Sequence, residues 1–566
     1  MEVVKERKEE GNNAYREDFE EENEIRESEP EEEEETGFSF RGFCEETASL
    51  LITAYLFIVF CLYPFYLKDG YTDVGKEKFN FYKVMTIGGF GLIIPLVLLC
   101  IFFRIRDRYG NKGGETEAFR KIRFSVTDWA VGAYGVSVVV SYLCSEFKEM
   151  ALWGERGWNM GLLTQIAFVI SYFLVAHFWE YEEKLLLVFM GAATVVFTLG
   201  VLNRFSIFPI QVQGANNGCL STLGNINWYC GFWAVLFPVG FIMYWCGEEI
   251  WIRALALLCT MIGIATGVSQ GSNSAFPVFA GLYIFTFCLS LNSRKKIRRF
   301  CELVILFFAT CQGLRLWRVL RPEAFDFYEG TLSDRITISR ATLFMLLAMC
   351  VVYLLVCLAG RKKATDGKTY KMIRQIAILA VVVIIGVYIF LLILNTRVEG
   401  GIRFMGKLSA LVFSSEWGSA RGATWSAGAE IYRNMHGWKK FIGVGPDCFA
   451  MYLYTLPDLA KTVIKQFDGA RLTNAHNEWL TVLVNQGIFG FISYGGIFIS
   501  AVVRFISGAE KALKGRKKYL YIFALSAFAY TIHNIVSFQQ ILSTPFMFLM
   551  LGMGEALIKE QEDVLF

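Results

Sequence analysis

The chain has 566 residues, of which 54% are hydrophobic and 16% aromatic, and its mean hydropathy is +0.42. This balance excludes an ordinary soluble enzyme and predicts an integral membrane protein. The net charge of +3 combines two opposed parts, because residues 1–36 carry 17 Asp and Glu against 5 Lys and Arg, including the run Glu31 to Glu35.

Residues 1–43 are predicted to form an acidic, disordered cytoplasmic tail, since they are too polar to bury a core. No basic segment precedes an apolar stretch, so a cleavable signal peptide is not expected, and the first membrane helix is expected to direct insertion. The tail either solvates the protein or binds a partner. The remaining residues, 44–566, are predicted to form one polytopic membrane domain.

Apolar runs of about twenty residues, the length that a helix needs to cross a bilayer, recur along this domain. They predict an all-α integral membrane fold with about fourteen transmembrane helices. The predicted spans are 47–67, 84–103, 128–145, 161–178, 185–205, 229–246, 250–268, 275–292, 300–316, 341–360, 376–394, 482–503, 519–537 and 541–558.

Lys and Arg concentrate in four connections between spans, at 104–123, 293–299, 361–374 and 504–518. These connections follow spans two, eight, ten and twelve, so all four fall on one side of the membrane. The positive-inside rule assigns that side to the cytoplasm, and both termini are then cytoplasmic.

The same parity places three loops outside, at 206–228, 317–340 and 395–481. The last lies between the eleventh and twelfth spans and is far longer than a usual helix connection. Aromatic residues such as Trp417 and Trp438 argue against disorder. We therefore expect an ordered extracytoplasmic cap.

One of only four histidines, His476, precedes the twelfth span, where Leu480, Leu483 and Val484 continue an apolar helical face. An imidazole at this membrane boundary can hydrogen-bond a diphosphate or handle a hydroxyl proton. The alternative is an interfacial histidine without a chemical role.

Further upstream, Arg421 and Trp425 stand four residues apart and can share one helical face. Arg421 is equally interpretable as a member of a structural ion pair. The glycine- and proline-rich segment 443–449 predicts a tight turn and lacks the lysine of a nucleotide-phosphate loop.

Two outer loops contain further candidate ligands. Arg315, Arg318 and Arg321 are spaced by three, and such a basic cluster suits a lipid-linked diphosphate or, alternatively, anchoring to lipid headgroups. Asn225 and Asn227 belong to an amide-rich loop that suits sugar hydroxyls, although amide-rich turns are common without a ligand.

Together these segments resemble the O-antigen ligase and polymerase superfamily of bacterial envelope-glycan enzymes. The resemblance covers roughly residues 220–500. The segments that carry it are Gly224 to Trp228, Arg421 to Trp425, Gly443 to Asp447, and His476-Asn477 with Leu480, Gly487 and Gly490.

The resemblance implies a membrane glycosyltransferase of the GT-C type in the bacterial cytoplasmic membrane. Its donor would be an undecaprenyl-diphosphate-linked glycan on the outer leaflet, and its acceptor a glycan, lipid or wall polymer. It implies no cofactor, no essential metal and no nucleic-acid partner. His476 would be catalytic or orient the acceptor, Arg421 would bind the diphosphate, and Asn477 and Trp425 would support them.

The chain departs from the family pattern at Asn273, where family members usually carry an arginine. An amide donates to a phosphate oxygen but brings no charge. Other arginines would then hold the donor, or the chain differs in donor or is inactive. The candidates assigned to substrate binding are Arg315, Arg318, Arg321, Arg403 and Arg433.

Several alternatives stay open at this point. The carboxylates Glu430, Asp447 and Glu478 are alternative bases to His476. A flippase for lipid-linked oligosaccharides, or another polysaccharide transporter, is the main alternative function, and a scaffold protein is a third. The sequence does not separate a polymerase from a ligase.

Overall fold

The computed structural model describes residues 39–110, 123–214, 218–324, 331–359, 367–397, 409–512 and 515–565. Most of the predicted tail, 1–38, lies outside the described residues. The regular secondary structure of the described part is helical apart from one short antiparallel pairing of β1 (Cys219–Leu220) with β2 (Gly224–Asn225). The predicted all-α fold is therefore confirmed.

Six of the described helices precede the strand pair. The first is continued by a π-helical turn at Ile58–Leu62 and a 3-10 turn at Tyr63–Phe65. The helices are α1 (Phe40–Phe57), α2 (Val74–Gly110), α3 (Val126–Cys144), α4 (Lys148–Trp153), α5 (Leu162–Phe178) and α6 (Glu183–Arg204). Residues 40–43, assigned to the tail from the sequence, belong to α1.

Seven helices follow the strand pair, with a 3-10 turn at Pro322–Ala324. They are α7 (Ile226–Cys246), α8 (Ile250–Ser269), α9 (Ala275–Ser290), α10 (Arg294–Leu320), α11 (Leu332–Ile338), α12 (Ala341–Ala359) and α13 (Gly367–Arg397).

The remaining helices begin after a 3-10 turn at Ser409–Leu411. They are α14 (Trp417–Asn434), α15 (Lys439–Ile442), α16 (Phe449–Leu453), α17 (Pro457–Gln466), α18 (Glu478–Asn485), α19 (Gly487–Lys511), α20 (Lys517–His533) and α21 (Thr544–Leu565).

Ten of the described helices are long and apolar enough to cross a membrane, and α5 and α9 are shorter apolar helices. The protein is thus a multi-pass membrane protein. A helix lies at each of the fourteen predicted runs, but α20 and α21 belong to neither group. The count of fourteen spans is therefore not confirmed.

The apolar helices differ in how much of their surface the protein itself covers. The central helix α7 is 94% buried over its apolar window, whereas the window of α13 is not buried at all. A helix that is apolar all round belongs in a protein core or in lipid. We therefore place α7 at the centre of the bundle and α13 at its lipid-facing edge.

A buried ionic cluster joins α3, α5 and α21. Lys559 donates to Asp128 Oδ2 at 2.8 Å, and the Tyr172 hydroxyl donates to Asp128 Oδ1 at 2.7 Å. A buried carboxylate is tolerated when it is paired and hydrogen-bonded in this way. The cluster fixes the relative position of the three helices.

Residues 409–485 form what we call the cap, which corresponds to most of the predicted loop 395–481. Short helices of the cap enclose a hydrophobic cluster of their own, to which Ala151 of α4 contributes. The members from the cap include Ile431, Phe449, Leu453 and Val463. The cap is therefore an ordered, packed unit.

Residues 534–543, between α20 and α21, are not helical and pack beneath the cap. The backbone N–H of Glu478 donates to the carbonyl of Asn534 at 2.8 Å. The backbone N–H of Gln539 donates to Glu478 Oε2 at 2.7 Å. Irregular backbone among membrane helices needs such partners, and the cap supplies them.

Candidate functional site

A cavity of about 260 Å³ lies where the cap meets the helices. Its walls come from the start of α7, the turn after α8 and the cap. The lining residues are Ile226, Asn227, Gly271, Ser272, Asn273, Ser419, Ala420, Arg421, Thr424, Phe467 and His476. The fold thus brings together four residues that were predicted to act at one site: His476, Arg421, Asn227 and Asn273.

Arg421 stands at the first right-handed turn of α14. The three residues before it, Gly418 to Ala420, have left-handed backbone angles, with φ between 62° and 65°. The guanidinium is fixed by two backbone carbonyls: Nε donates to Val536 at 2.8 Å and Nη1 to Gly418 at 2.9 Å. The N-terminal end of the right-handed helix also favours a negative ligand.

The charge of Arg421 is not compensated by a carboxylate. No Asp or Glu lies within 4.0 Å of its guanidinium among residues that the structure describes. Burial lowers the pKa of Arg421, which reflects the cost of holding this charge away from water. An anionic ligand in the cavity would offset that cost, so Arg421 is suited to bind a phosphate group.

The imidazole of His476 lies in the same cavity. His476 has a left-handed backbone, with φ of 47°, and its backbone N–H donates to Asn474 Oδ1 at 2.9 Å. Its ring meets the ring of Phe538 edge to face at 5.3 Å between centroids. Burial and the nearby charge of Arg421 lower the pKa of His476 to about 4. The imidazole is therefore neutral at pH 7 and can accept a hydrogen bond from a hydroxyl group.

The amides have separate roles in the structure. Asn227 lines the cavity and accepts a hydrogen bond from Ser272 Oγ at 2.9 Å. Asn273 is exposed within the cavity wall. Asn225 and Asn477 do not line the cavity. Each is the N-cap residue of a helix: the Asn225 side chain accepts from the backbone N–H of Asn227, and the Asn477 side chain accepts from that of Leu480.

Trp425 also lies outside the lining of the cavity, although it is on the same helix as Arg421. Its ring packs against that of Trp417, with the centroids 5.2 Å apart and the planes inclined by 61°. The two tryptophans form an aromatic pair beside the turn that carries Arg421. Trp425 is therefore placed to support that turn.

The other arginines proposed from the sequence do not line the cavity. Arg318 pairs with Asp334 at 2.7 Å, and Arg433 pairs with Glu430. Arg315 is 3.5 Å from Gln312 Oε1, and Arg321 is exposed at the end of α10. Arg403 lies outside the described residues.

A buried arginine that the sequence did not single out lies close to the cavity wall. Arg204, the last residue of α6, is 3% exposed, and its Nη2 donates to the carbonyl of Gln270. A Cβ atom placed on Gly271 would lie 3.0 Å from this nitrogen. Arg204 gave no sequence signal, because a single cation at the end of an apolar run is typical of a membrane boundary.

The three alternative carboxylates do not line the cavity either. Glu430 pairs with Arg433. Asp447 and Glu478 are buried on the far side of the segment that carries His476, and burial raises their pKa values to about 7 and about 8. This arrangement favours His476 as the group that meets a substrate hydroxyl.

The glycine-rich turn places Asp447 by packing closely on the junction of α18 and α19. Gly443 has a φ of 78°, and a Cβ on it would lie 2.1 Å from the carbonyl oxygen of Asn485. The N–H of Gly445 donates to that same carbonyl at 3.0 Å. The turn is therefore structural, as its lack of a phosphate-binding lysine indicates.

Comparison with known proteins gives one match. Residues 335–495 match the family model described as O-antigen ligase. The matched range contains the cap with Arg421 and His476, and it leaves out Asn227 and Asn273. No curated protein matches the chain. Among the described residues, no group of three or more His, Cys, Asp or Glu is arranged to hold a metal ion.

Proposed function

We propose that this membrane protein, whose residues 335–495 match the O-antigen ligase family model, transfers a glycan from undecaprenyl diphosphate to an acceptor. The observation that carries the proposal is the pairing, in one cavity, of a half-buried arginine that lacks a carboxylate partner with a neutral histidine. A diphosphate leaving group needs the positive charge of the arginine, and an acceptor hydroxyl needs the neutral histidine as its hydrogen-bond acceptor.

In the proposed reaction, the acceptor oxygen bonds to the anomeric carbon of the donor as the bond from that carbon to the diphosphate breaks. The electron pair of the broken bond goes to the diphosphate. Arg421 stabilises this charge, because its position is already fixed by Val536 and Gly418 before the reaction begins.

The acceptor loses its proton as its new bond forms. His476 is neutral and lies in the cavity, so it accepts the hydrogen bond and then the proton of the hydroxyl. A bound diphosphate raises the pKa of His476 by placing negative charge beside it, which makes the imidazole a better base once the donor is present.

We also propose how the protein is oriented in the membrane. The cap would face the outside of the cytoplasmic membrane, where lipid-linked glycans are presented, and residues 1–43 would form a cytoplasmic tail without a role in transfer. Asn227 and Asn273 would hydrogen-bond the sugar or phosphate oxygens. The reaction would need no metal and no other cofactor.

The test uses the purified full-length protein in nanodiscs with undecaprenyl-diphosphate-linked oligosaccharides from a cell extract, followed by mass spectrometry of the lipid-linked pool. Longer lipid-linked chains would identify a polymerase, and transfer of glycan to another acceptor would identify a ligase. We expect His476→Ala and Arg421→Gln to remove either activity.

The matched control is Lys439→Gln, a cation of the cap that pairs with Glu146 outside the cavity. This variant is expected to keep full activity. Movement of labelled lipid between leaflets without any transfer would overturn the proposal in favour of a transporter.

A further inference from the structure

A second, smaller cavity lies behind His476. Phe538 separates the two spaces, since its ring contacts the ring of His476 and also lines the second cavity. The volume of about 10 Å³ is close to the smallest that holds a single water-sized particle. The polar side chains that matter are Asp447, Asn474, Glu478, Asn485 and Gln486.

Two buried carboxylates meet at this cavity without a cationic partner. Asp447 is 6% exposed and Glu478 is 5% exposed. Each accepts backbone N–H groups, Asp447 from Glu155 and Met160 at 2.7 and 3.0 Å and Glu478 from Gln539 at 2.7 Å. Within the described residues, no Lys, Arg or His lies within 4.0 Å of either group.

Two buried amide oxygens at the same cavity also lack partners. Asn485 Oδ1 and Gln486 Oε1 have no hydrogen bond in the structure, although Asn485 is 4% exposed and Gln486 is 2% exposed. The amide nitrogen of Gln486 donates to Gln165 Oε1 at 3.2 Å, so the free atom of Gln486 is its oxygen. The cavity thus has two amide oxygens without a donor, beside two carboxylates that accept backbone N–H groups. The indole N–H of Trp158, which also lines the cavity, has no acceptor.

This combination costs free energy when the two carboxyl groups are ionised and no positive ligand is present. Buried polar atoms are normally satisfied, and buried charges are normally paired or bound to a metal. Burial raises the pKa of both carboxyl groups, and the charge of Asp447 contributes to the shift at Glu478. The two carboxylates are therefore near enough to repel each other when both are ionised.

We propose that this second cavity binds one hard metal cation of the calcium type. Carboxylate and amide oxygens are the ligands that Ca²⁺ takes in proteins, and a single ion matches the size of the space. Two carboxylates balance its charge, and Asn485 and Gln486 supply neutral oxygens. The described residues contain no group of three or more His, Cys, Asp or Glu that could hold a metal ion, so an ion here needs the amide oxygens as further ligands.

The ion would connect three elements that meet at the site. Asp447 comes from the glycine-rich turn of the cap, Glu478 opens α18, and Asn485 and Gln486 lie where α18 ends and α19 begins. Asn474, which also lines the cavity, accepts a hydrogen bond from the backbone of His476. Cation binding would therefore hold the segment that positions His476, without taking part in glycan transfer.

The experiment measures terbium luminescence in the full-length protein, purified in detergent and freed of metals. Tb³⁺ replaces Ca²⁺ at oxygen sites, and Trp158 lines the cavity as a nearby sensitiser. We expect one Tb³⁺ per chain with emission excited through tryptophan, and we expect added Ca²⁺ to displace it. Calcium should also raise the midpoint of thermal unfolding.

Isosteric variants test the ligands. Glu478→Gln and Asp447→Asn keep the side-chain shapes, but each removes one charge and replaces one acceptor oxygen by an NH2 donor, so each should weaken Tb³⁺ binding by roughly tenfold or more. Glu146→Gln, an exposed carboxylate that pairs with Lys439, is the control and should bind as wild type does. Trp158→Phe should lose the sensitised emission while keeping the thermal shift with calcium.

Absence of stoichiometric emission, or emission that survives in both ligand variants, overturns the proposal and leaves a water with protonated carboxyl groups as the occupant. If one variant does not fold, the proposal is tested by Tb³⁺ binding to the other variant and by the calcium-induced change in the unfolding midpoint of the wild-type protein. No glycan is present in this assay, so its failure is separate from a failure of the proposed transferase activity.

Discussion

Thr424 and Ala475 are joined by a buried hydrogen bond in which the Thr424 hydroxyl donates to the Ala475 carbonyl at 2.8 Å. The bond connects the helix of Arg421 to the segment of His476, which are 55 residues apart in the chain and share no local element. The cation and the imidazole therefore reach one cavity through the internal packing of the cap.

We expect the substitution Arg421→Gln to lower the rate of glycan transfer by about 10²–10³, because it removes a fixed donor and its charge from the leaving group. Arg421→Lys should keep part of the activity, since the charge remains but the geometry of the guanidinium is lost. Rates are measured with purified lipid-linked donor. Full activity in Arg421→Gln would remove this residue from the site.

The second prediction concerns pH. The pKa of His476 is lowered to about 4, so the neutral, active form of the free protein persists across neutral pH and is lost only as pH falls toward about 4. We expect kcat/KM to stay level from neutral pH downward and to fall at that acidic limb. The limb of kcat should lie at higher pH, because the bound diphosphate raises the pKa of His476.

Two controls accompany this pH profile. His476→Gln should abolish the acidic limb together with most of the activity. Size-exclusion chromatography at each pH shows whether the protein stays folded and monodisperse. An acidic limb of kcat/KM near pH 6.5 would contradict the lowered pKa of His476 in the free protein.

The third prediction concerns Asn273, which is exposed in the cavity wall and at which the resemblance led us to expect an arginine. Asn273→Arg should lower the KM for a diphosphate-linked donor, and Asn273→Asp should raise it, each by roughly two- to fivefold, as expected of a solvent-exposed charge pair. Asn273→Gln is the neutral control. Both effects should shrink as salt is added, because salt screens exposed charges. Equal KM values in all four proteins would place the diphosphate away from Asn273.

The sequence predicted the order of the helices for physical reasons, whereas the roles of two residues that line the cavity came from the family resemblance. Apolar runs must become helices in a bilayer, so each predicted run contains one. Arg421 and His476 were identified from local motifs. The packed cap was predicted from its aromatic content, and it encloses a hydrophobic cluster of its own.

Other features depend on contacts that no local pattern encodes. Arg204 approaches the cavity wall because α6 ends beside the turn after α8. The predicted last two spans, 519–537 and 541–558, gave no sign that residues 534–543 would stay non-helical, since their backbone partners are Arg421 and Glu478 from the cap. Asn225 and Asn477 were assigned to substrate, yet their side chains cap helices, a role that equally favours asparagine.

The last prediction concerns the two glycines Gly443 and Gly437, which both have a positive φ, of 78° and 57°. Gly443 also has a ψ of −168°, a combination that is essentially restricted to glycine. A Cβ on Gly443 would lie 2.1 Å from the carbonyl of Asn485, whereas a Cβ on Gly437 would meet nothing within 4 Å. Gly437→Ala should cost roughly 1–2 kcal/mol through backbone strain alone. Gly443→Ala should lower the free energy of unfolding by about 2–5 kcal/mol, because the new Cβ must also displace the α18–α19 junction.

The measurement compares the two alanine variants by thermal unfolding and by limited proteolysis of the cap. Gly443→Ala combines two costs, a backbone conformation that only glycine adopts readily and the close approach of the turn to Asn485, whereas Gly437→Ala meets no neighbouring atom. We expect Gly443→Ala to unfold at the lower temperature and also to lose transfer activity, since Asp447 and the support behind His476 follow the turn. Equal effects of the two substitutions would show that the turn moves freely and does not support the site.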